Sequence, residues 1–214
     1  MQQTLNQFFG YSNQNDCYTE QSNSKTKKKS VMNILFENWD SKKNGYVTQS
    51  VDLTHEPTIQ DFIKKANLQK YLFKVATIKS NTDKKCEYSV LIDSSYKKHI
   101  QWAYILVVGG KIIKCGDSTM TLQGRWTSYS AGTKENRDRG TCSTTNYFIS
   151  EIIRQSLKNG LSVELYAYPI PNIIQPIDVF GVTKNALCDF VTYYESELLQ
   201  RFSDIYNKKP IVGK

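Results

Sequence analysis

Trp102-Ala103-Tyr104-Ile105-Leu106-Val107-Val108-Gly109-Gly110-Lys111-Ile112-Ile113-Lys114-Cys115-Gly116 reads as two β-rich runs joined by a glycine pair. Two-residue hairpin turns need positive φ at both central positions, and Gly109-Gly110 meets that demand without steric cost. Within ten residues follows Gln123-Gly124-Arg125-Trp126, a lone arginine on a segment, 121–130, that reads as a short helix ending before Gly132. A tyrosine on one strand, a lysine on its hairpin partner and an arginine on the next helix can converge on one face. Such a face suits an anionic phosphate as the group under attack.

Downstream, residues 133–141 read as a polar, charge-dense loop containing Lys134, Arg137 and Arg139. Ser143 or Thr144 then caps a helix that turns Phe148, Ile149, Ile152, Ile153 and Leu157 inward and stops at Gly160. Residues 161–168 read as a third strand, a proline-studded loop follows, and residues 191–206 form a final amphipathic helix. The order β, β, α, α, β, α predicts an α/β fold in which a small three-stranded sheet is flanked by helices.

Upstream, residues 31–100 read as an α+β extension, a candidate for contacts with a partner. Val31, Ile34, Leu35 and Trp39 fall at helical spacing, Thr58 caps a helix with Asp61 in its first turn, and residues 86–93 are strand-like. Asp40-Ser41-Lys42-Lys43-Asn44-Gly45 is a turn and not a calcium loop, because Lys42 stands at the third ligand position and Val51 where a bidentate Glu is needed. Residues 1–30 read as a disordered tail, since residues 11–30 hold hardly an aliphatic side chain to offset ordering entropy. The predicted division is therefore a tail at 1–30, an extension at 31–100 and a catalytic domain at 101–214.

The 214 residues carry 28 Lys and Arg against 20 Asp and Glu, a formal net charge of +8 with pI near 9.1. That surplus favours a polyanion, with nucleic acid the first choice. No apolar run reaches the ~18 to 20 residues of a bilayer span, and the N-terminus lacks a signal-peptide pattern, so a soluble protein of cytoplasm or nucleus without a membrane partner is expected. Five cysteines without a CxxC pair argue against a disulfide framework and a thiolate zinc site. His55 and His99 have no Cys or acidic companions at metal spacing and read as packing or surface residues.

Taken singly, Tyr104, Lys114, Arg125 and Glu195 have ordinary readings as strand, surface or helix-face residues. Together they supply what phosphoryl transfer needs: a base for water, cations for the developing charge, and a carboxylate for a divalent metal. Tyr104, Lys114-Cys115-Gly116, Arg125 and Glu195 in Glu195-Ser196-Glu197-Leu198-Leu199 resemble the GIY-YIG nuclease superfamily over residues 100–210. The stretches 111–114, 140–148 and 207–211 resemble its type II restriction endonuclease branch. The first triplet keeps only its tyrosine, in Trp102-Ala103-Tyr104, and Lys114 replaces the second tyrosine, a substitution that also occurs in the restriction branch. Pro210 lacks the asparagine that often follows three residues later in the family, and Asp117 is an additional acid beside the site.

The resemblance implies a metal-dependent endonuclease in which Glu195 holds one Mg²⁺, Tyr104 deprotonates water with help from Lys114, and Arg125 clamps the phosphate. Tyr129, one turn after Arg125, contacts phosphate or water, or else packs in the core. Double-stranded DNA is the implied substrate, cut at a short palindromic site by a homodimer, with Lys134, Arg137 and Arg139 contacting DNA. Two other readings remain open. Gln2, Leu5, Phe8 and Phe9 match a sliding-clamp-binding pattern, which with the basic run Lys25-Thr26-Lys27-Lys28-Lys29 suits a repair, recombination or homing-type nuclease recruited by a clamp. The other is a non-catalytic DNA-binding relic.

Overall fold

The structure, a computed structural model, describes residues 32–82, 85–90, 96 and 98–212. The clamp-pattern residues Gln2, Leu5, Phe8 and Phe9 and the basic run lie outside the described residues.

Nine strands and five helices follow in order among the described residues: β1 (Asn33–Asp40), β2 (Gly45–Asp52), α1 (Ile59–Lys65), β3 (Phe73–Thr82), β4 (Lys85–Val90), β5 (Trp102–Val108), β6 (Lys111–Ser118), α2 (Leu122–Ser130), α3 (Lys134–Asp138), α4 (Thr144–Lys158), β7 (Val163–Pro169), β8 (Ile174–Val179), β9 (Val182–Leu187) and α5 (Val191–Tyr206). The three strands read from the sequence are present as β7-β5-β6, and antiparallel pairing of β3 with β7 continues them into a five-stranded sheet of order β4-β3-β7-β5-β6. At the β5–β6 turn Gly109 and Gly110 take φ of 55° and 78°, as the paired glycines require.

Every residue of β5 is buried, so this strand is covered on both faces. On one face Trp102, Tyr104, Leu106 and Val108 join Trp126 and Tyr129 of α2 and Ile149, Ile152 and Ile153 of α4. On the other, Ala103, Ile105 and Val107 meet Phe62 of α1 and Leu198 and Phe202 of α5. The α1 cap is as expected, with the Thr58 hydroxyl accepting from Asp61 N at 3.2 Å. Tyr206 donates to Asp61 at 2.9 Å and Arg201 Nη1 donates to Ala66 O at 2.7 Å, which fastens α5 to α1.

Three local expectations are corrected. Residues 33–40, read as helical, form β1: Ile34 and Phe36 are buried while Leu35 is exposed, a period of two that the Asp40 turn folds back onto β2. The loop at 133–141 contains α3, because the Thr133 hydroxyl caps it by accepting from Asn136 N at 3.2 Å. The proline-rich loop contains the β8–β9 ribbon, where Pro176 is tolerated because a two-stranded sheet has only edge strands. No helix among the described residues is long and apolar enough to cross a membrane.

Phe202 is fully buried, with ring centroids 5.6 Å from Phe62 and 5.0 Å from Tyr206. Phe202→Ala should therefore lower unfolding free energy by ~3–5 kcal/mol in a urea titration; a loss below ~1 kcal/mol would show that α5 is not held by this contact.

Candidate active site at the edge of the sheet

Strand β6 is an edge of the five-stranded sheet, and its N-terminal half is partly covered: Ile112 N donates to Pro57 O and Val212 N to Ile113 O, both at 2.9 Å. The candidate residues gather along its other half. Tyr104 pairs in register with Gly116, so their side-chain positions share a face with Lys114, which pairs with Leu106. The Tyr104 ring lies across Gly116. A Cβ at that position would come within 2.7 Å of Tyr104 Cζ and Oη and 2.9 Å of Lys114 Cε, so only glycine lets the phenol and the lysine stem occupy this space.

Helix α2 brings the next two groups. Thr121 caps it by accepting from Gly124 N at 3.0 Å, and one turn then separates Arg125 from Tyr129. The Tyr129 and Tyr104 hydroxyls are hydrogen-bonded to each other, so Tyr129 belongs to this cluster while its ring also packs in the core. Arg125 lies 6.0 Å from the Tyr129 ring centroid and donates from Nη2 to Asp117 O at 3.0 Å. Its Nε is buried and has no hydrogen-bond partner among the described residues. A buried guanidinium donor left unpaired carries a desolvation cost that an anion oxygen would relieve. Asp117, the unexplained acid of the sequence, orients this arginine through its backbone carbonyl.

Glu195 arrives from the opposite layer. It sits on the inner stripe of α5 with Val191, Leu198 and Phe202 and is 3% exposed. Burial is the main cause of the raised pKa of Tyr129 and Cys115, and the Glu195 charge adds to both, so the carboxylate lies within electrostatic reach of α2 and β6. Glu197, the alternative acid, faces elsewhere and pairs with Arg201 at 2.7 Å. Burial dominates the titration of the cluster: it holds Tyr104 well above the ordinary tyrosine range, raises Tyr129, and pushes the Cys115 thiol up to about 12. Arg125 acts in the opposite direction on both phenols.

The other candidates lie apart from this cluster. Lys134 reaches Glu37 at 3.3 Å and sits 4.2 Å from the Tyr46 ring centroid, Arg137 covers Trp39 at 5.1 Å, and Arg139 pairs with Glu135. The contacts of Lys134 and Arg137 fasten α3 to the β1–β2 hairpin, while the Arg139 pair stays within the helix and its C-cap. His99 is half-buried against Trp102, as its packing reading required, with Nε2 2.9 Å from the carbonyls of Gln101 and Ile170. Sequence reading overlooked Gln101, whose buried amide donates to Cys188 O at 3.0 Å and accepts from Phe190 N at 3.2 Å, joining the start of β5 to the start of α5. No motif marks it, since its partners are backbone groups remote in sequence.

The mixed α/β scaffold, with several antiparallel sheets flanked by helices, is that of a nuclease-like fold of the restriction endonuclease class, as comparison with solved structures shows. The chain is 33% identical to the solved restriction endonuclease HPY188I, which was captured with product DNA, over 75% of this chain and 87% of that one, with a TM-score of 0.50. A mutant of bacteriophage T4 EndoII is 15% identical over 74% of this chain and all of that one, with a TM-score of 0.49. No protein-family model and no curated protein matches the chain. At that identity and coverage, the chain belongs to the restriction endonuclease family represented by HPY188I.

Gly116→Ala should cost ~1–3 kcal/mol in chemical denaturation, because the added methyl must displace the buried Tyr104 ring. The raised phenol pKa values also set an alkaline limit. Below ~10 both folded and unfolded chains keep the tyrosine protons; above it the unfolded chain ionises while the buried pair does not, so stability falls as pH rises. Stability measured from pH 8 to 11 should decline beyond ~10, and less steeply in Tyr129→Phe, which removes one of the two groups.

Proposed function

We propose that the chain is a GIY-YIG-type endonuclease that hydrolyses double-stranded DNA with one Mg²⁺ per site, restriction-like, acting on a short palindromic sequence as a homodimer. The observation that carries this reading is the hydrogen-bonded Tyr104–Tyr129 pair, laid over Gly116 and flanked by an arginine whose buried Nε has no partner among the described residues. Kinship with an enzyme captured on product DNA and the +8 charge both support DNA as the substrate.

Arg125 would bind the scissile phosphate with its open Nε edge, while Asp117 O fixes the plane of the guanidinium through Nη2. Tyr104 would take the proton of the attacking water. Its raised pKa means that the resting phenol is neutral, so the phenolate must be stabilised as it forms. Three groups are suited to do this: Arg125 by its charge, Lys114 with its stem beside the Tyr104 ring at Gly116, and Tyr129, whose hydroxyl, hydrogen-bonded to that of Tyr104, would turn its proton toward the phenolate oxygen. Burial excludes the water that would otherwise screen these interactions.

The donor set fits a single hard cation. Among the described residues no three His, Cys, Asp or Glu gather, and magnesium is commonly held by one or two carboxylates, with water and phosphate completing its shell. Glu195 would hold the ion, which when bound supplies Lewis-acid stabilisation of the phosphate and the departing oxygen. Lys134 and Arg139 would contact the DNA backbone after exchanging their exposed internal ion pairs, which are worth ~0–1 kcal/mol each, and Arg137 would join them from its place over Trp39.

Purified protein with Mg²⁺ and plasmid or phage DNA should yield discrete fragments; intact DNA at every metal and sequence tried would remove the nuclease reading. Glu195→Gln should abolish cleavage while leaving gel-shift binding in place, with Glu197→Gln close to wild type. Tyr104→Phe should lower the single-turnover rate at least ~100-fold. If Tyr129→Phe is the inactive variant and Tyr104→Phe retains activity, the base is Tyr129. Arg125→Lys should be nearly as inactive as Arg125→Ala, since an ammonium lacks the two-pronged donor.

A further inference from the structure

The β8–β9 ribbon takes no part in the site. It pairs with none of the five strands of the main sheet, and nearly all of its residues are exposed on both faces. Isolated two-stranded ribbons are marginal in water, and their usual remedy is a surface to pack against. This one also presents apolar side chains outward. Ile173, Ile174, Ile177, Phe180, Val182 and Leu187 are six of the twelve exposed large hydrophobic residues among those described. Phe180 at the tip is fully exposed and offers on the order of 150–250 Å² by itself.

The turn carries a second, independent signal. Phe180 has φ of 53° ahead of Gly181, a conformation that Asn, Asp or Gly adopts readily in such turns and that is costly for a bulky aromatic. Asp178 braces the turn by accepting from Gly181 N at 3.0 Å. Within the chain the Phe180 ring buries nothing that would repay this strain.

Charge selects the occupant. On a chain of formal charge +8, the ribbon holds one acid, Asp178, and one base, Lys184. A neutral, apolar, aromatic-tipped surface is unsuited to a phosphate backbone and has the composition of a protein interface core. On a chain of charge +8 it is also a patch where a second copy meets no local excess of like charge, and Asp178 of one copy can face Lys184 of the other. The root of the ribbon is tied down: Gln101 bonds to Cys188 and Phe190, and Cys188 N donates to Ile173 O at 2.8 Å. Gln101 precedes the strand of Tyr104, and Phe190 precedes the helix of Glu195, so the root of the arm is hydrogen-bonded to residues that adjoin both elements.

We propose that the β8–β9 ribbon, tipped by Phe180, is the arm through which two copies of this chain associate about a two-fold axis. Each arm contributes Ile177, Phe180 and Val182 to the contact. The inference rests on the two-site reading above and adds the surface that makes it. Joined this way, the two copies hold their sites at a fixed separation, as coupled scission of both strands requires.

Sedimentation velocity on the full chain at micromolar concentration should give about twice the monomer mass of 24.6 kDa. Phe180→Ser and Ile177→Glu should each weaken association at least ~30-fold with unchanged circular dichroism, as truncation of interface anchors does. A monomeric wild type, or variants that remain dimeric, overturns the proposal. Hydrogen exchange on the wild type covers the case in which a variant misfolds: dilution to nanomolar concentration should expose amides 173–188, and protection independent of concentration overturns it equally. Neither readout involves cleavage, so failure of the nuclease reading is seen separately. Should the chain be an active nuclease, Phe180→Ser should accumulate nicked plasmid where the wild type gives linear product.

Discussion

Burial of β5 on both faces is the constraint from which the rest of the architecture follows. A strand with no polar outlet needs a layer above and a layer below, which the chain supplies as α2 and α4 on one side and α1 and α5 on the other. The two layers come together at the β6 edge. There Tyr104 and Tyr129 approach from one layer and Glu195 from the other, so the cluster exists only because both cores are packed at once. Gly116 makes the meeting possible by leaving the volume that the Tyr104 ring fills.

Burial governs the electrostatics of this corner. Two phenols are kept neutral by burial, a guanidinium keeps a buried donor unpaired, and a carboxylate is nearly excluded from solvent. Buried polar groups are costly unless paired; the phenols meet this by bonding to each other, and the Arg125 Nε is the group of the cluster left without a partner among the described residues. Lys134 and Arg139 differ: both are exposed and hold surface ion pairs, whereas Arg137 packs on Trp39 and, like Arg125, has a buried Nε without a partner among the described residues.

Where sequence reading succeeded, the determinant was local. The turn glycines, the Thr58 cap and the cap at Ser143, one of the two read there, are each set by neighbouring residues. Where it failed, a remote contact decided. The spacing of Ile34 and Trp39 suits a helix, yet Ile34 and Phe36 are drawn into the α4 core, where Phe36 packs edge-on to Phe148 at 5.2 Å, and this selects a strand. The five-residue α3 has little helical pattern of its own and is held by Trp39, Tyr46 and Glu37 from across the chain.

By itself the sequence determined the chemical inventory of this protein, a tyrosine, a lysine, an arginine and a glutamate on elements whose type and order it also specifies, together with an excess of positive charge. Which groups meet was decided by the tertiary structure. The Tyr104–Tyr129 hydrogen bond, the unpaired Arg125 Nε, the raised phenol pKa values, and the choice of Glu195 over Glu197 for the interior all depend on how two helical layers close over one sheet. Hydrogen bonding and desolvation are functions of distance and burial, and those are properties of the packed chain, to which spacing along the sequence is only an indirect guide.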